Sequence, residues 1–193
     1  MAETMIRTLC VYCGSNVGNS SEYRAGAERL AQAMAERGID LVYGAGNVGM
    51  MGVIADAVIA RGRRATGIIP RRLRELELAH TDLHELVEVE TMRERKALMM
   101  EKGDAFVALP GGIGTLEELT EVMTLSQLGY IAKPIGLLDS GGFWKPFMAF
   151  LRHLVKEGFL KQAQMEQLIV DEDPNRLLDR MAKASAVYVP KWN

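Results

Sequence analysis

The chain has 193 residues, 48% of them apolar and 25% charged, the proportions of an ordinary globular domain large enough for a real core. With 23 basic against 25 acidic residues the net charge is −2, which gives no overall pull toward nucleic acid or an anionic membrane. No basic-then-apolar leader opens the sequence, and no apolar stretch reaches the roughly 18 residues that a span requires, so a cytoplasmic protein with neither partner is expected.

The first apolar run, residues 6–13 (IRTLCVYC), reads as a strand ending in the turn CGSN, residues 13–16. It carries the only two cysteines, Cys10 and Cys13. A redox CxxC opens a helix, where the dipole lowers a thiol pKa. On a strand the positions i and i+3 face opposite sides, so these two read as packing residues, and alone they fall short of a zinc site. A helical pattern over 21–38 leads to a strand at 39–44 and a second helix over 48–62. Gly44, Gly46 and Gly49 between them fit GxGxxG. A dinucleotide site wants that motif after the first strand, with an acidic residue about 20 positions on. Here it follows the second strand and the later stretch reads IIPRR, so close packing or close approach to a ligand is preferred over NAD.

A strand at 64–70 is flanked by RGRR (61–64) and RRLR (71–74), arginines that suit element ends better than an RNA patch. His80 and His84 have i, i+4 spacing without an evident third ligand, so a surface role is expected and no metal. A strand at 84–90 precedes the helical pattern MRERKALMMEKG, residues 92–103. Glu94 and Glu101 share one side of it; Arg95 lies roughly 110° and Lys96 roughly 150° away, flanked by methionine and leucine. Basic side chains turned from the acidic face point to a site.

The strand at 104–110 ends in PGGIGT (110–115), followed by a helical pattern over 115–129. Closely spaced glycines before a helix build a cradle for an anion, through backbone N–H groups and the helix dipole. It is not a Walker A loop, since it holds no lysine. Yet Glu117 and Glu118 stand within a turn of it. Thr115 and Glu118 also spell a capping box, in which each would cap the other's backbone. On the helical wheel Leu116, Leu119, Val122 and Met123 form the buried face; Glu117 lies opposite it, while Glu118 sits at its edge and looks into a crevice. Strands at 133–139 and 167–172 and helices over 143–158 and 174–185 complete the chain.

This alternation predicts an α/β fold: a single doubly wound, Rossmann-like domain over 1–193 with a mainly parallel sheet. Ligands bind such sheets beyond the carboxyl ends of the strands, at the switch in strand order. The three glycine turns at 13–16, 43–52 and 110–115 would open onto one crevice, fit for a small phosphorylated ligand.

On these residues the chain resembles the Lonely Guy (LOG) family of cytokinin-activating phosphoribohydrolases, often labelled lysine decarboxylases. The family signature P-G-G-x-G-T-x-x-E is met by Pro110, Gly111, Gly112, Gly114, Thr115 and Glu118, and M-x-x-R-K by Met92, Arg95 and Lys96. The turn Cys13–Ser15, the stretch Tyr43–Gly52 and E-x-A-H at Glu77–His80 also match, with Ala45 standing where a glycine is usual. The resemblance implies hydrolysis of the N-glycosidic bond of cytokinin-type adenosine 5′-monophosphates, and of AMP, to free base and ribose 5-phosphate. It implies a homodimer with active sites at the interface, no metal and no organic cofactor. Glu118 and Arg95 take the catalytic places. Glu77, Arg95, Lys96 and the run Gly111, Gly112, Ile113, Gly114, Thr115, Leu116 and Glu117 take substrate contacts, joined by Ser15 and Gly46 on the other turns. A non-enzymatic carrier of a phosphorylated cofactor, such as molybdenum cofactor, would need the cradle but neither Glu118 nor Arg95. A pyridoxal-phosphate decarboxylase would need a Schiff-base lysine.

Overall fold

The computed structural model describes residues 5–74, 76 and 79–184. Seven strands pair in parallel: β1 (Thr8–Tyr12), β2 (Asp40–Tyr43), β3 (Ala65–Pro70), β4 (Glu85–Val89), β5 (Ala105–Ala108), β6 (Ile135–Leu138) and β7 (Leu168–Asp171). Their order across the sheet is β4-β3-β2-β1-β5-β6-β7. The central strands β1, β2, β5 and β6 are almost entirely buried, which is why their sequences are near-continuous apolar runs. The edge strand β4 is instead largely exposed, with Glu85, Leu86 and Glu88 open to solvent and Val87 and Val89 half-buried, and its two carboxylates discourage pairing with another chain.

Helices cover both faces. On one lie α1 (Ser21–Glu36), α2 (Gly49–Ile59) and α8 (Pro174–Lys183); on the other lie α4 (Met92–Lys102), α5 (Ile113–Gln127) and α6 (Lys145–Lys156). Two short helices, α3 (Arg71–Arg74) and α7 (Gln162–Met165), and a 3₁₀ turn at Ser140–Gly142 lie in the connections. Ser20 caps α1 by accepting from the Glu22 N–H at 3.3 Å, and the helix then buries Ala27, Leu30, Ala31 and Met34 at i, i+3/i+4 spacing. Asp173 caps α8 ahead of Pro174, whose missing N–H costs nothing at a first helical position. Cys10 faces one core and Cys13 the other, both as free thiols, as opposite-facing strand positions require.

The chain reverses direction across the sheet between β1 and β5, and this is where the loops part. Hydrogen bonds lock the turns there together. The Gly14 N–H donates to the Pro110 carbonyl at 3.2 Å, and the Met50 N–H donates to the Gly14 carbonyl at 3.0 Å. The three glycine turns thus share one edge of the sheet.

Gly49 opens α2 with φ of 63°, and a Cβ there would lie 2.1 Å from the Ser15 carbonyl carbon. Gly49→Ala is therefore expected to destabilise the fold by roughly 2–4 kcal/mol, from the left-handed backbone and the clash with main chain together. Thermal unfolding should show the midpoint falling by about 5–10 °C. An unchanged midpoint would mean that this turn is not held against Ser15. Ala45, two residues after β2, is the one non-glycine with positive φ among the described residues, at 65°. The residue that differs from the usual glycine thus occupies a backbone conformation suited to glycine.

Candidate active site

A cavity of about 230 Å³ lies at the switch point, under the loops that follow β1, β2 and β5. Its walls come from Cys13, Gly14 and Ser15 after β1, Gly44 after β2, Leu73 of α3, Met92, Arg95 and Met99 of α4, and residues 112–115, 117 and 118 around the start of α5. Helix α5 begins at Ile113, with Gly112 as its N-cap and no side chain capping it. The amides of its first turn therefore have no side-chain cap, and they lie at the cavity wall. The capping-box reading of Thr115 and Glu118 fails here. Thr115 is already inside the first turn, and it is buried. The glycines before it let the helix start two residues earlier than the pattern of apolar residues indicates.

Arg95 is 6% exposed and reaches the cavity from α4. Its Nη2 donates to the Gly44 carbonyl at 3.0 Å, Nη1 lies 3.7 Å from Met92 Sδ, and Nε has no partner. Among the described residues no carboxylate forms an ion pair with it. A buried guanidinium with unused donors favours an anionic or polar guest, because unpaired buried charge is costly. Gly44 makes this placement possible: a Cβ there would sit 1.8 Å from Arg95 Nη2.

Glu118 is half-buried, on the cavity side of α5. Among the described residues no hydrogen bond or ion pair engages its carboxylate. Burial raises its pKa from 4.5 to about 7, opposed by the nearby Arg95 charge and assisted by Glu117. Glu117 also touches the cavity, but its carboxylate is 53% exposed and pairs with Lys96. Cys13 lines the same wall, and burial pushes its thiol well above the ordinary range, so it contributes packing rather than a nucleophile.

Of the expected contacts, Ser15, Arg95, Gly112, Ile113, Gly114, Thr115, Glu117 and Glu118 share this cavity. Gly111 lines a neighbouring cavity of about 220 Å³ with Tyr23 and Phe143. Lys96, Leu116 and Gly46 do not line the cavity at the switch point. Gly46 instead pairs with Ala79 in an isolated antiparallel bridge and accepts from the Tyr43 hydroxyl at 3.3 Å. Glu77 lies outside the described residues. Sequence reasoning missed Met51 and Met99 as walls of the cavity; Met99 stands four residues after Arg95 on the same helical face, a spacing that carries the signal.

The expectation of a surface role for His80 is overturned. It is 3% exposed, with Nε2 against Asp56 Oδ1 at 2.9 Å and Nδ1 accepting from the Asp82 N–H at 3.2 Å, so it ties its segment to α2. His84 is exposed and accepts from the Ala65 N–H at 3.3 Å. Among the described residues no cluster of His, Cys, Asp or Glu could hold a metal ion. Arg71 and Arg74 pair with Glu88 at 2.9 and 2.8 Å.

A family described as "Possible lysine decarboxylase" matches residues 51–181. Over 189 residues the chain is 43% identical to the cytokinin riboside 5′-monophosphate phosphoribohydrolase LOG2 of Arabidopsis thaliana, spanning 98% of this chain and 87% of that protein. The chain belongs to the LOG family. The LOG protein of Oryza sativa, also named a cytokinin riboside 5′-monophosphate phosphoribohydrolase, is 43% identical over 186 residues, spanning 96% of this chain and 75% of that one. Among solved structures, the molybdenum cofactor carrier protein of Chlamydomonas reinhardtii superposes with a TM-score of 0.68 at 16% identity, covering 92% of this chain and 98% of that one. The molybdenum cofactor binding protein of Rippkaea orientalis superposes with a TM-score of 0.68 at 18% identity, covering 91% and 95%. At such identities the likeness is one of fold. This member of the LOG family therefore shares its α/β scaffold with carriers and its sequence with hydrolases.

Proposed function

We propose that this protein hydrolyses the N-glycosidic bond of adenosine 5′-monophosphates, cytokinin-type N6-modified ones and AMP, to free base and ribose 5-phosphate. The observation that carries the reading is one cavity holding the uncapped start of α5, an unpaired buried guanidinium and an unpaired carboxylate raised toward neutrality. The 5′-phosphate binds at the amides of α5 with Thr115 and Ser15, a sugar's length from Glu118. Water attacks C1′ as the bond to the base nitrogen breaks; the water oxygen stays on the sugar and one of its protons ends on the base. Positive charge develops on the ribose, and the Glu118 carboxylate stabilises it and orients the water. Arg95 polarises the other side of the reacting group.

The relatives' names support this chemistry, whereas a carrier would have no use for a desolvated free carboxylate. Pyridoxal phosphate does not fit: among the described residues no lysine lines the cavity, and the nearby Lys96 is held by two carboxylates. Ile113 and Met92, at the cavity, are 82% and 43% exposed in the single chain, which supports a homodimer whose second copy covers the site. Among the described residues no helix is long and apolar enough to cross a membrane, and two free buried thiols suit the reducing cytoplasm.

The test is release of free base from AMP, N6-isopentenyl-AMP and adenosine. Because the phosphate supplies remote binding energy, adenosine should react at least about a hundredfold more slowly than AMP. Equal turnover of nucleoside and nucleotide would refute the cradle assignment. Tight binding of nucleotides with no base release at all would favour the carrier.

A further inference from the structure

Helix α5 presents three carboxylates in little more than one turn, Glu117, Glu118 and Glu121, and only two cations of α4 face them. Arg95 is the cation nearest Glu118 in effect, while Lys96 answers the other two. Lys96 Nζ contacts Glu117 Oε1 and lies 3.1 Å from Glu121 Oε2, so one ammonium bridges two acids spaced i, i+4. Its side chain is 15% exposed, against 53% for Glu117 and 34% for Glu121. Lys96 is absent from the cavity wall, whereas Glu117 belongs to it.

We infer that Lys96 is a positioning residue: anchored by Glu121, it ties down Glu117 at the cavity wall and cancels its charge, leaving Glu118 as the one carboxylate without an ion-pair partner among the described residues lining the cavity. This rests on the hydrolase reading for its purpose but not for its geometry. The family pattern implies a substrate contact for Lys96 instead. Charge argues against that, because Lys96 with its two acids is a cluster of net −1, and both carboxylates already engage its ammonium. Removing Lys96 leaves Glu117 and Glu121 uncompensated beside Glu118. Among the described residues the groups facing Glu118 are Arg95 and Lys96 from α4, Glu117 and Glu121 from α5, and the neutral thiols Cys10 and Cys13 and phenol Tyr12 from β1. Only the first four carry charge at neutral pH.

The experiment compares wild type, Lys96→Met, Lys96→Arg and the double variant Lys96→Met/Glu117→Gln. The Glu118 carboxyl is titrated by ¹³C NMR in the ligand-free protein, and kcat/KM for base release from AMP is followed against pH. Lys96→Met should move the Glu118 midpoint and the acid limb upward by about half a unit to one unit, with KM changing less than about threefold. Lys96→Arg should keep wild-type values, and Glu117→Gln added to Lys96→Met should return the midpoint most of the way. The titration of AMP's own phosphate is common to all four proteins and cancels. A KM raised tenfold or more with an unmoved midpoint, or a double variant no better than the single one, overturns the inference. Should wild type leave AMP intact, the hydrolase reading fails, and the NMR titration still decides whether Lys96 controls Glu118.

Discussion

Arg95→Lys is expected to lose base release by at least about a hundredfold while the protein stays folded. The guanidinium is a planar fork, seated with one nitrogen on the Gly44 carbonyl and another left without a partner. An ammonium at the end of a lysine is a point charge that can satisfy the carbonyl or the substrate, not both in that geometry. Arg95→Ala removes the charge altogether and should abolish measurable turnover, although the Gly44 carbonyl then loses a buried partner at a stability loss of about 1–3 kcal/mol. A third variant reaches the same fork without touching it. A Cβ at Gly44 would fall 1.8 Å from Nη2, so Gly44→Ala should displace the intact arginine and depress activity with it. Near-normal kcat/KM in Arg95→Lys, with circular dichroism unchanged, would return Arg95 to the status of a buried structural cation.

The architecture was legible because each strand of the centre is a short apolar run bounded by glycine or proline, and each helix carries a 3.6-residue apolar face. All seven strands and all six long helices lie where those patterns put them. What the pattern could not give was the start of α5. The helical pattern begins at Thr115, but the helix begins at Ile113, because glycines leave no apolar mark on a helical wheel. That difference of one half-turn decides the meaning of Thr115, which is a buried first-turn residue rather than a cap. The burial of Arg95 was legible from its angle to Glu94 and Glu101. The occupation of Lys96 was not, since its partners come from another helix, and only their i, i+4 spacing hints that one cation could bridge both. His80 misled for a similar reason: its partner Asp56 is on α2, 24 residues away, and nothing local signals the burial.

Glu118→Gln separates chemistry from stability by moving them in opposite directions. Burial holds this carboxyl at about 7, against 4.5 for an ordinary glutamate, so the folded state binds its proton more tightly than the unfolded chain does. The stability it contributes is full below about pH 4.5 and is lost as pH rises through about 7. Wild type at pH 8 therefore carries a desolvated charge that glutamine lacks. The variant should gain on the order of 1–3 kcal/mol at pH 8, seen as a midpoint raised by about 3–10 °C, and the gain should shrink severalfold at pH 5. Catalysis should go the other way, because the charge itself opposes the cation forming on the ribose; base release is expected to fall by about 10²–10⁴. AMP affinity should hold or tighten, since a negative charge near the phosphate has been removed. Glu117→Gln is the comparison on the same helix: its carboxylate is already neutralised by Lys96, so it should keep far more activity than Glu118→Gln and show no such rise in midpoint at pH 8. Measuring base release, AMP affinity and thermal midpoints for both variants at the two pH values tests every part of this. A Glu118→Gln protein that retains more than about a tenth of wild-type turnover contradicts the catalytic role. One that is inactive but no more stable at pH 8 contradicts the desolvated carboxylate on which the proposed mechanism depends.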